Sequence, residues 1–291
     1  MSTLCESQVN ITLNTDVCYE TLGFSTAPFN ITPDTDFLVP QRQYLETIGS
    51  LRFGLASGNF TLLTGDVGLG KTLLCRYLMQ NLPAMVKTAY VFNPPQSYSE
   101  FLAAVLFDLT GMSTNRDASS ASLHARLFNI LSTYASHDIR VALVIDEAHL
   151  LQPDLLEGLR LLSNLETDKR KLLSLLLVGQ NELEKTLKLP ELRALRQRIS
   201  VWCRLRAFTL NESIDYIRHR LRAANVSANF EITTPACSIA HHYARGVPRR
   251  LNQICDRALL GAFSSYRSKV GARLMLSAAR EVVALERDQR D

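Results

Sequence analysis

The chain has 291 residues, enough for one large domain or two smaller ones, each with a buried hydrophobic core. Hydrophobic residues make up 46% and charged residues 21%, and the net charge of +4 is too small to indicate nucleic-acid binding by itself. The N-terminus lacks the basic and apolar regions of a signal peptide, and the longest apolar runs are too short to span a bilayer.

Two further features of the composition concern charge and cysteine. From Glu191 onward, lysine and arginine outnumber aspartate and glutamate by about two to one, so the C-terminal third is basic. The six cysteines form no Cys-x-x-Cys pair, which disfavours a zinc site and favours reduced thiols in a cytoplasmic protein. We expect the cysteines and Trp202 to fill the core.

The first forty residues show little periodicity. Residues 1–18 predict an extended or loosely held arm, and the prolines that follow disfavour a helix and predict an extended linker. A helix is predicted from about Gln41 to Ser57, because apolar residues recur there near the 3.6-residue period. These residues are Tyr44, Leu45, Ile48, Leu51 and Leu55.

The strongest local signal is Gly-x-x-x-x-Gly-Lys-Thr at residues 65–72, between an apolar strand at Asn59–Thr64 and a helix at Leu73–Leu82. A phosphate-binding P-loop requires this order, because glycines turn successive amide N–H groups toward one point and the helix directs its positive end there. We expect Lys71 to reach the β- and γ-phosphates and Thr72 to hold Mg²⁺. The alternative, a glycine-rich turn that binds nothing, is disfavoured by the flanking strand and helix. The predicted nucleotide contacts are Gly65, Asp66, Val67, Gly68, Leu69, Gly70, Lys71, Thr72 and Leu73.

Strands and helices alternate from the P-loop to about residue 205. Further strands are predicted at Lys87–Asn93, Arg140–Ile145, Lys171–Gly179 and Ile199–Leu205, and helices at Ser99–Leu109, Ser122–Tyr134 and Pro153–Leu165. This alternation predicts a parallel α/β sheet.

From Thr209 onward the pattern is of helices only. They are predicted at Asn211–Ala224, Pro235–Ala244, Val247–Ser264 and about Ala272–Leu285, which indicates a separate helical domain. We therefore expect an N-terminal arm at 1–27, a nucleotide-binding α/β domain at 28–206 and a helical lid domain at 207–291.

Two carboxylates follow the third predicted strand. Asp146 is the expected second Mg²⁺ partner, and Glu147 can take the proton of a water in line with the γ-phosphate. The alternative is that both merely cap the next helix. Asp-Glu-Ala-His149 also spells a helicase box, but the remaining chain does not fit a second motor domain.

Polar residues at the ends of the second and fourth strands are further candidates. Asn93 is placed to hold Glu147 inactive until a partner binds, and Gln180 to touch the γ-phosphate or the attacking water. For each residue the alternative, that it simply ends its strand, stays open.

Arginines form the last group of candidates. Arg193, Arg196 and Arg198 crowd one turn before the fifth strand, where they predict either a solvated helix face or an arginine finger for a neighbouring subunit's ATP. Arg198 is the first choice for the finger and Arg196 the second. In Gly246-Val-Pro-Arg249, the arginine opens a helix of the lid and either faces the phosphates or is a surface arginine.

Together these residues resemble an AAA+ ATPase, and more narrowly the ExeA/GspA family. The resemblance covers about residues 19–285 and includes Leu159-Arg-Leu-Leu-Ser-Asn-Leu-Glu166, Val178-Gly-Gln-Asn-Glu-Leu183, Leu195-Arg-Gln-Arg-Ile199 and Gly246-Val-Pro-Arg-Arg-Leu-Asn252. The chain departs from the family pattern at Leu69, where threonine is usual, at Tyr44, where histidine is common, and at His149, where glutamine is common. Of these three differences, the tyrosine at position 44 is the one expected to alter a contact with a partner or with adenine.

The resemblance implies a five-stranded parallel sheet of order 5-1-4-3-2, flanked by helices, with an all-α lid. It implies an ATPase that uses ATP and Mg²⁺ and forms a homo-oligomeric ring of six subunits. The chain looks like the short MshM-type members, which are cytoplasmic, lie against the inner membrane through a partner and serve assembly of a type IV pilus or a type II secretion machine. The alternative is a DNA-binding regulator similar to the transposition ATPases TniB, TnsC and MuB, and the basic C-terminal third keeps a nucleic-acid partner open.

Overall fold

The computed structural model describes residues 15–32, 34–115, 118–166, 171–225 and 230–288. The contacts divide the chain into two compact units, and each is described by itself. The α/β unit is Pro33–Ala207, and the helical unit combines Met1–Thr32 with Phe208–Asp291. Residues 28–32, which we expected in the nucleotide-binding domain, therefore group with the helical unit in this division.

The α/β unit is built on five parallel strands. They are β1 (Phe60–Thr64), β2 (Val86–Val91), β3 (Arg140–Ile145), β4 (Leu173–Gly179) and β5 (Ile199–Arg204), in the spatial order β2-β3-β4-β1-β5. This confirms the expected order of the sheet. Strands β1 and β4 are buried along their whole length, because apolar residues there face helices on both sides of the sheet.

Helices precede and connect these strands in the α/β unit. They are α2 (Arg42–Ala56), α3 (Lys71–Gln80), α4 (Tyr98–Thr110), α5 (Ser120–Ser136), α6 (Pro153–Leu162), α7 (Asn181–Thr186) and α8 (Arg193–Arg196). The sequence did not indicate α7, since six residues are too few to show a 3.6-residue period, and it indicated α8 only as the turn that carries three arginines.

The helical unit contains α1 (Thr15–Thr21), α9 (Leu210–Ala223), α10 (Thr234–Ala244), α11 (Pro248–Ser264) and α12 (Ala272–Asp288). Two short parallel strands, β6 (Glu231–Ile232) and β7 (Lys269–Val270), also pair in this unit, so its pattern is not of helices only. Two residues per strand leave no periodic signal in the sequence.

The segment before residue 33 differs from the expected extended linker. Residues 1–14 lie outside the described part of the chain, but Thr15–Thr21 forms a helix that ends before the first proline of this region. The following residues are held by Arg220, which is 3% exposed and donates to the carbonyl oxygens of Pro28 at 2.5 Å and Asn30 at 3.0 Å. The tertiary contacts of Arg220 thus hold a segment that the sequence predicts as an extended linker.

Among the exposed apolar residues are Trp202, which was predicted to lie in the core, and Leu45. Trp202 is 42% exposed because β5 is an edge strand on which exposed and partly buried residues alternate. Leu45 is 53% exposed, since it lies beside the face of α2 that turns toward the sheet. Of the cysteines in the described residues, Cys203 is partly buried and the others are buried, namely Cys18, Cys75, Cys237 and Cys255.

Across the residues described, we find no helix that combines the length and the apolar character needed to cross a bilayer.

Candidate nucleotide site

The P-loop lies between the end of β1 and the start of α3. Gly65 has φ of 152° and packs against Leu205, whose carbonyl oxygen would lie 2.9 Å from a Cβ at position 65. Gly70 has φ of 91° and caps α3, with the Tyr44 hydroxyl 2.9 Å from the position of a Cβ. Larger residues would therefore be strained or crowded at both positions, so the glycines permit the tight backbone path.

Tyr44 braces the P-loop from α2. Its buried hydroxyl donates to the Leu69 carbonyl oxygen at 2.8 Å. The departure from the family pattern at this position therefore brings a phenol into contact with the P-loop backbone.

Lys71 is 8% exposed and lies inside the loop that it is expected to serve. Its Nζ donates to the carbonyl oxygens of Gly65 at 2.8 Å and Asp66 at 3.0 Å. Burial lowers the pKa of Lys71 by disfavouring the ammonium, and the nearby carboxylates of Glu147, Asp146 and Asp66 oppose that shift. The ammonium is thus held among carbonyl oxygens and carboxylates, at the place where phosphate oxygens are expected.

Asp146 lies at the end of β3 and is fully buried. Its Oδ2 accepts hydrogen bonds from Thr72 Oγ1 at 2.8 Å and from the Tyr90 hydroxyl at 3.0 Å, and its Oδ1 accepts from the Glu147 amide at 2.9 Å. The carboxyl end of β3 and the start of α3 therefore meet at one carboxylate. Burial and the adjacent Asp146 raise the pKa of Tyr90, which keeps its phenol protonated as a donor.

The donor set fits a magnesium ion and a triphosphate. The hydroxyl of Thr72 and the carboxylate of Asp146 are hard oxygen ligands in direct contact, as Mg²⁺ prefers. The backbone of residues 65–70 and the N-terminal end of α3 suit an anion. No cluster of three or more His, Cys, Asp or Glu side chains at metal-binding positions occurs in the described ranges, so the proposed magnesium ligands are one hydroxyl and one carboxylate.

Glu147 is oriented by an unusual backbone and by a histidine. Its φ is 54°, in the left-handed region that non-glycine residues seldom adopt. Its Oε2 lies 3.3 Å from His149 Nδ1, and His149 Nε2 lies 2.9 Å from the side-chain nitrogen of Gln180. Asn93 is exposed with φ of 49°, and in the described structure it shares no hydrogen bond with Glu147. Its proposed hold on Glu147 stays a prediction, as does a phosphate contact of Gln180.

The candidate arginines make no hydrogen bond to the P-loop, Asp146 or Glu147 in the described structure. Arg198 donates to the Arg160 carbonyl oxygen at 3.2 Å and to Ser163 Oγ, and Arg196 donates to the Leu187 carbonyl oxygen at 3.4 Å. Arg249 is exposed near the start of α11, in the helical unit. The finger and lid roles of these arginines stay predictions.

Sequence reasoning missed two polar residues that support the site. Tyr90 belongs to no motif and reaches Asp146 only because β2 and β3 pair in register. Asn181, at the start of α7, donates from Nδ2 to Asp66 Oδ1 at 2.5 Å and so ties the P-loop to the end of β4. Its one signal in the sequence was that Asn181 is polar and comes two residues after the end of β4 at Gly179.

Residues 55–187 match the family described as AAA domain. This match covers less than half of the chain. The matched range includes the P-loop, Asp146, Glu147 and Gln180. The chain is also 38% identical over 249 residues to General secretion pathway protein A of Aeromonas hydrophila, a match that covers 85% of this chain and 45% of that protein. The chain thus spans less than half the length of the curated relative that it matches.

Solved structures share the fold at low sequence identity. The ORC2 protein of Aeropyrum pernix has a TM-score of 0.66 at 18% identity, over 89% of this chain and 72% of that chain. Cdc6p of Pyrobaculum aerophilum has a TM-score of 0.69 at 18% identity, over 88% and 70%. The RuvB branch-migration motor of Thermotoga maritima has a TM-score of 0.54 at 17% identity, over 83% and 69%. Together with the match to the AAA domain model, these likenesses confirm the expected α/β P-loop fold of AAA+ proteins.

Proposed function

We propose that this chain is a magnesium-dependent ATPase. The observation that supports this most directly is the contact of 2.8 Å between Thr72 and Asp146, which joins the P-loop to the strand end that carries Glu147. A site that only held phosphate would not need a carboxylate pair at this position. The match of residues 55–187 to the AAA domain supports the same proposal.

Each group has a definite role in the proposed reaction. Lys71 exchanges its carbonyl partners for the β- and γ-phosphate oxygens, and the P-loop amides bind the same phosphates. Thr72 and Asp146 would hold Mg²⁺, which neutralises phosphate charge when it is bound. The Glu147 carboxylate accepts the proton of the attacking water, and Gln180 contacts the γ-phosphate or that water.

Replacing Glu147 by glutamine tests the ATPase proposal. We expect Glu147→Gln to bind ATP within about threefold of the wild-type affinity and to lower turnover by about 10²- to 10⁴-fold, because the amide cannot take a proton. Calorimetry measures the binding, and phosphate release measures the turnover. Glu100→Gln, at an exposed position of α4, is the matched control and should change neither. Wild-type-like turnover in Glu147→Gln would remove Glu147 from this role.

We further propose that the ATPase serves a type II secretion or MshM-type pilus machine at the cytoplasmic face of the inner membrane, as a ring of six subunits bound through a partner. The similarity over 249 residues to General secretion pathway protein A supports this assignment. Glu147→Gln loaded with ATP should retain the partner from detergent-solubilised native membranes, and Lys71→Ala should not. Recovery of secretion or pilus components by the first variant alone is the expected result; equal recovery by both variants would contradict an ATP-controlled partner.

A DNA-binding regulator is the second candidate, and one observation favours it. The helical unit exposes many arginines, among them Arg218, Arg222, Arg245, Arg267, Arg273 and Arg280. Such a surface suits a phosphate backbone. DNA binding that weakens steeply between 50 and 200 mM salt, by about 10³-fold or more, would favour this candidate over the secretion machine.

A further inference from the structure

The side chain of His149 stands between the proposed general base and the polar residue at the end of β4. It belongs to a 3-10 helix at Ala148–Leu150, directly after Glu147. Its Nδ1 faces Glu147 Oε2 at 3.3 Å, and its Nε2 faces Gln180 Nε2 at 2.9 Å. The side chains of His149 and Glu147 are 13% and 28% exposed, so the contacts are largely shielded from water.

The hydrogen-bonding capacity of these groups sets the tautomer of the ring. A neutral imidazole has one donor nitrogen and one acceptor nitrogen. With the Gln180 amide nitrogen facing Nε2, that nitrogen accepts, and the ring proton must therefore lie on Nδ1. The proton then points to the side on which Glu147 lies, so one ring connects the amide of Gln180 to the carboxylate of Glu147.

The side chains of His149 and Glu147 are close together but do not form a hydrogen bond. The two atoms are 3.3 Å apart, yet neither Nδ1 nor Oε2 makes an aligned hydrogen bond, and both atoms are buried. A small rotation of either side chain would make or break the bond. The backbone around them is less free, because the Glu147 amide is bound to Asp146 Oδ1 and the Glu147 carbonyl oxygen accepts from the Leu150 amide at 2.9 Å.

The end of β4 is shaped to admit this histidine. Gly179 precedes Gln180, and a Cβ at position 179 would lie 3.1 Å from the His149 backbone nitrogen. The absence of a side chain there lets the turn that carries His149 pack directly on the strand end. The ring, which follows β3, therefore contacts Gln180, which follows the neighbouring strand β4.

We propose that His149 is the positioning residue through which Gln180 controls the carboxylate of Glu147, a proposal that rests on the ATP hydrolysis proposed above. While the Gln180 amide binds His149 Nε2, the Nδ1 proton lies on the side of Glu147, and a small rotation of either side chain closes a hydrogen bond that holds the carboxylate beside the ring. When Gln180 turns to the γ-phosphate, Nε2 loses its donor and takes a proton from solvent, while Nδ1 returns one to solvent. The ring stays neutral, Nδ1 no longer donates, and Glu147 is released to accept the proton of the attacking water.

The tautomer of His149 is the first test and needs no nucleotide. Nitrogen-15 spectra of full-length protein labelled at histidine should show His149 with its proton on Nδ1, and Gln180→Ala should shift it toward Nε2. His149→Gln assigns the signal by removing it, and His137→Gln, at an exposed position, is the matched control. A ring that carries its proton on Nε2 in the wild type, or that ignores Gln180→Ala, would overturn the proposal.

A double-mutant cycle is the second test. Gln180→Ala removes the phosphate contact in either background, but only where His149 is present does it also release Glu147. Its loss in kcat should therefore be about fivefold smaller in the wild type than in a His149→Phe background. Multiplicative losses would show that His149 has only a structural role. If His149→Phe does not fold, His149→Gln serves in the same cycle. Absence of wild-type hydrolysis would count against the proposed ATPase, whereas the tautomer result would still decide the link between Gln180 and His149.

Discussion

At the scale of single residues, Asp146 is the centre of the site. It is completely buried, yet both carboxylate oxygens accept hydrogen bonds, from Thr72, Tyr90 and the Glu147 amide. A buried carboxylate without donors would be costly, so these three donors stabilise it in one orientation. Tyr90 differs from the other two because it belongs to neither the P-loop nor the strand end that carries Asp146.

Replacing Tyr90 by phenylalanine should weaken the proposed magnesium site while it preserves the strand. Loss of the phenol leaves Asp146 with only two donors in the described structure, Thr72 and the Glu147 amide, and such supporting contacts are typically worth about 10-fold or more in metal affinity. We expect nucleotide binding to need about 10-fold more Mg²⁺ for half saturation. A magnesium titration with a fluorescent ATP analogue measures this shift.

Tyr98→Phe is the control for this change. Tyr98 is also half-buried and its pKa is raised by burial to about 12, but it packs on Gly158 in α6 and makes no contact with Asp146. The control should keep the wild-type magnesium dependence. An unchanged magnesium requirement in Tyr90→Phe would contradict a supporting role for the phenol.

At the scale of elements, the packing of α1 on α11 joins the N-terminal segment to the rest of the helical unit. The Tyr19 hydroxyl donates to Asp256 Oδ1 at 2.5 Å across these helices. Burial raises the pKa of Asp256 above its ordinary value of 3.8, and the hydrogen bond from Tyr19 only partly opposes that shift. When Asp256 is ionised, its desolvation between α1 and α11 therefore lowers the stability of the folded state.

The contribution of Asp256 to the free energy of unfolding should therefore become more favourable as the pH falls. The folded state binds the proton first, because its pKa is the higher one, so the contribution to unfolding free energy rises from pH 7 until the pH passes the ordinary value of 3.8. Asp256→Asn keeps an acceptor for Tyr19 without the charge. We expect its urea midpoint, followed by circular dichroism, to exceed that of the wild type at pH 7, by a margin that shrinks toward pH 4.

Asp215→Asn, at an exposed position of α9, provides the comparison and should show no such trend. A margin for Asp256→Asn that widens as the pH falls would mean that the carboxylate is stabilised, not destabilised, by its place between α1 and α11.

At the scale of the whole molecule, the proposed ring would have to supply what one subunit lacks. Arg196 and Arg198 contact carbonyl oxygens of their own α/β unit, and neither bonds to the carboxylates around the P-loop in the described structure. A guanidinium from a neighbouring subunit would complete the charge around a transferring phosphoryl group.

Mixing two inactive variants tests this arrangement. Arg198→Ala and Lys71→Ala should each lose about 10³-fold or more in turnover alone. In an equal mixture of subunits, about a quarter of the interfaces would pair an intact P-loop with an intact arginine. Turnover should therefore recover to about a quarter of the wild-type value. Phosphate release before and after mixing measures the recovery.

Arg193→Ala, at an exposed position of the same turn, is the control and should keep its activity. If the mixture stays inactive while Arg196→Ala complements Lys71→Ala, the finger is Arg196. No recovery with either arginine variant would argue against action between subunits.

Prediction from the sequence succeeded where neighbouring residues carry the information. The strands, the long helices of both units and the P-loop were predicted within a few residues, and the strand order followed from the family resemblance. The helix α1 and the pair β6–β7 were missed, because seven residues and two residues per strand are too short for a periodic pattern. Trp202 was placed in the core although its strand lies at an edge, where one face remains open to solvent.

By itself, the sequence determined the glycine pattern of the P-loop, the carboxylate pair after the third strand and the alternation that makes a parallel sheet. Only the tertiary structure decided which side chains meet at the site. Tyr90 and Asp146 are 56 positions apart, His149 and Gln180 are 31 apart, and Asp66 and Asn181 are 115 apart. These pairs form because parallel strands bring their carboxyl ends to one edge of the sheet, and local spacing carries no record of which residues will face one another there.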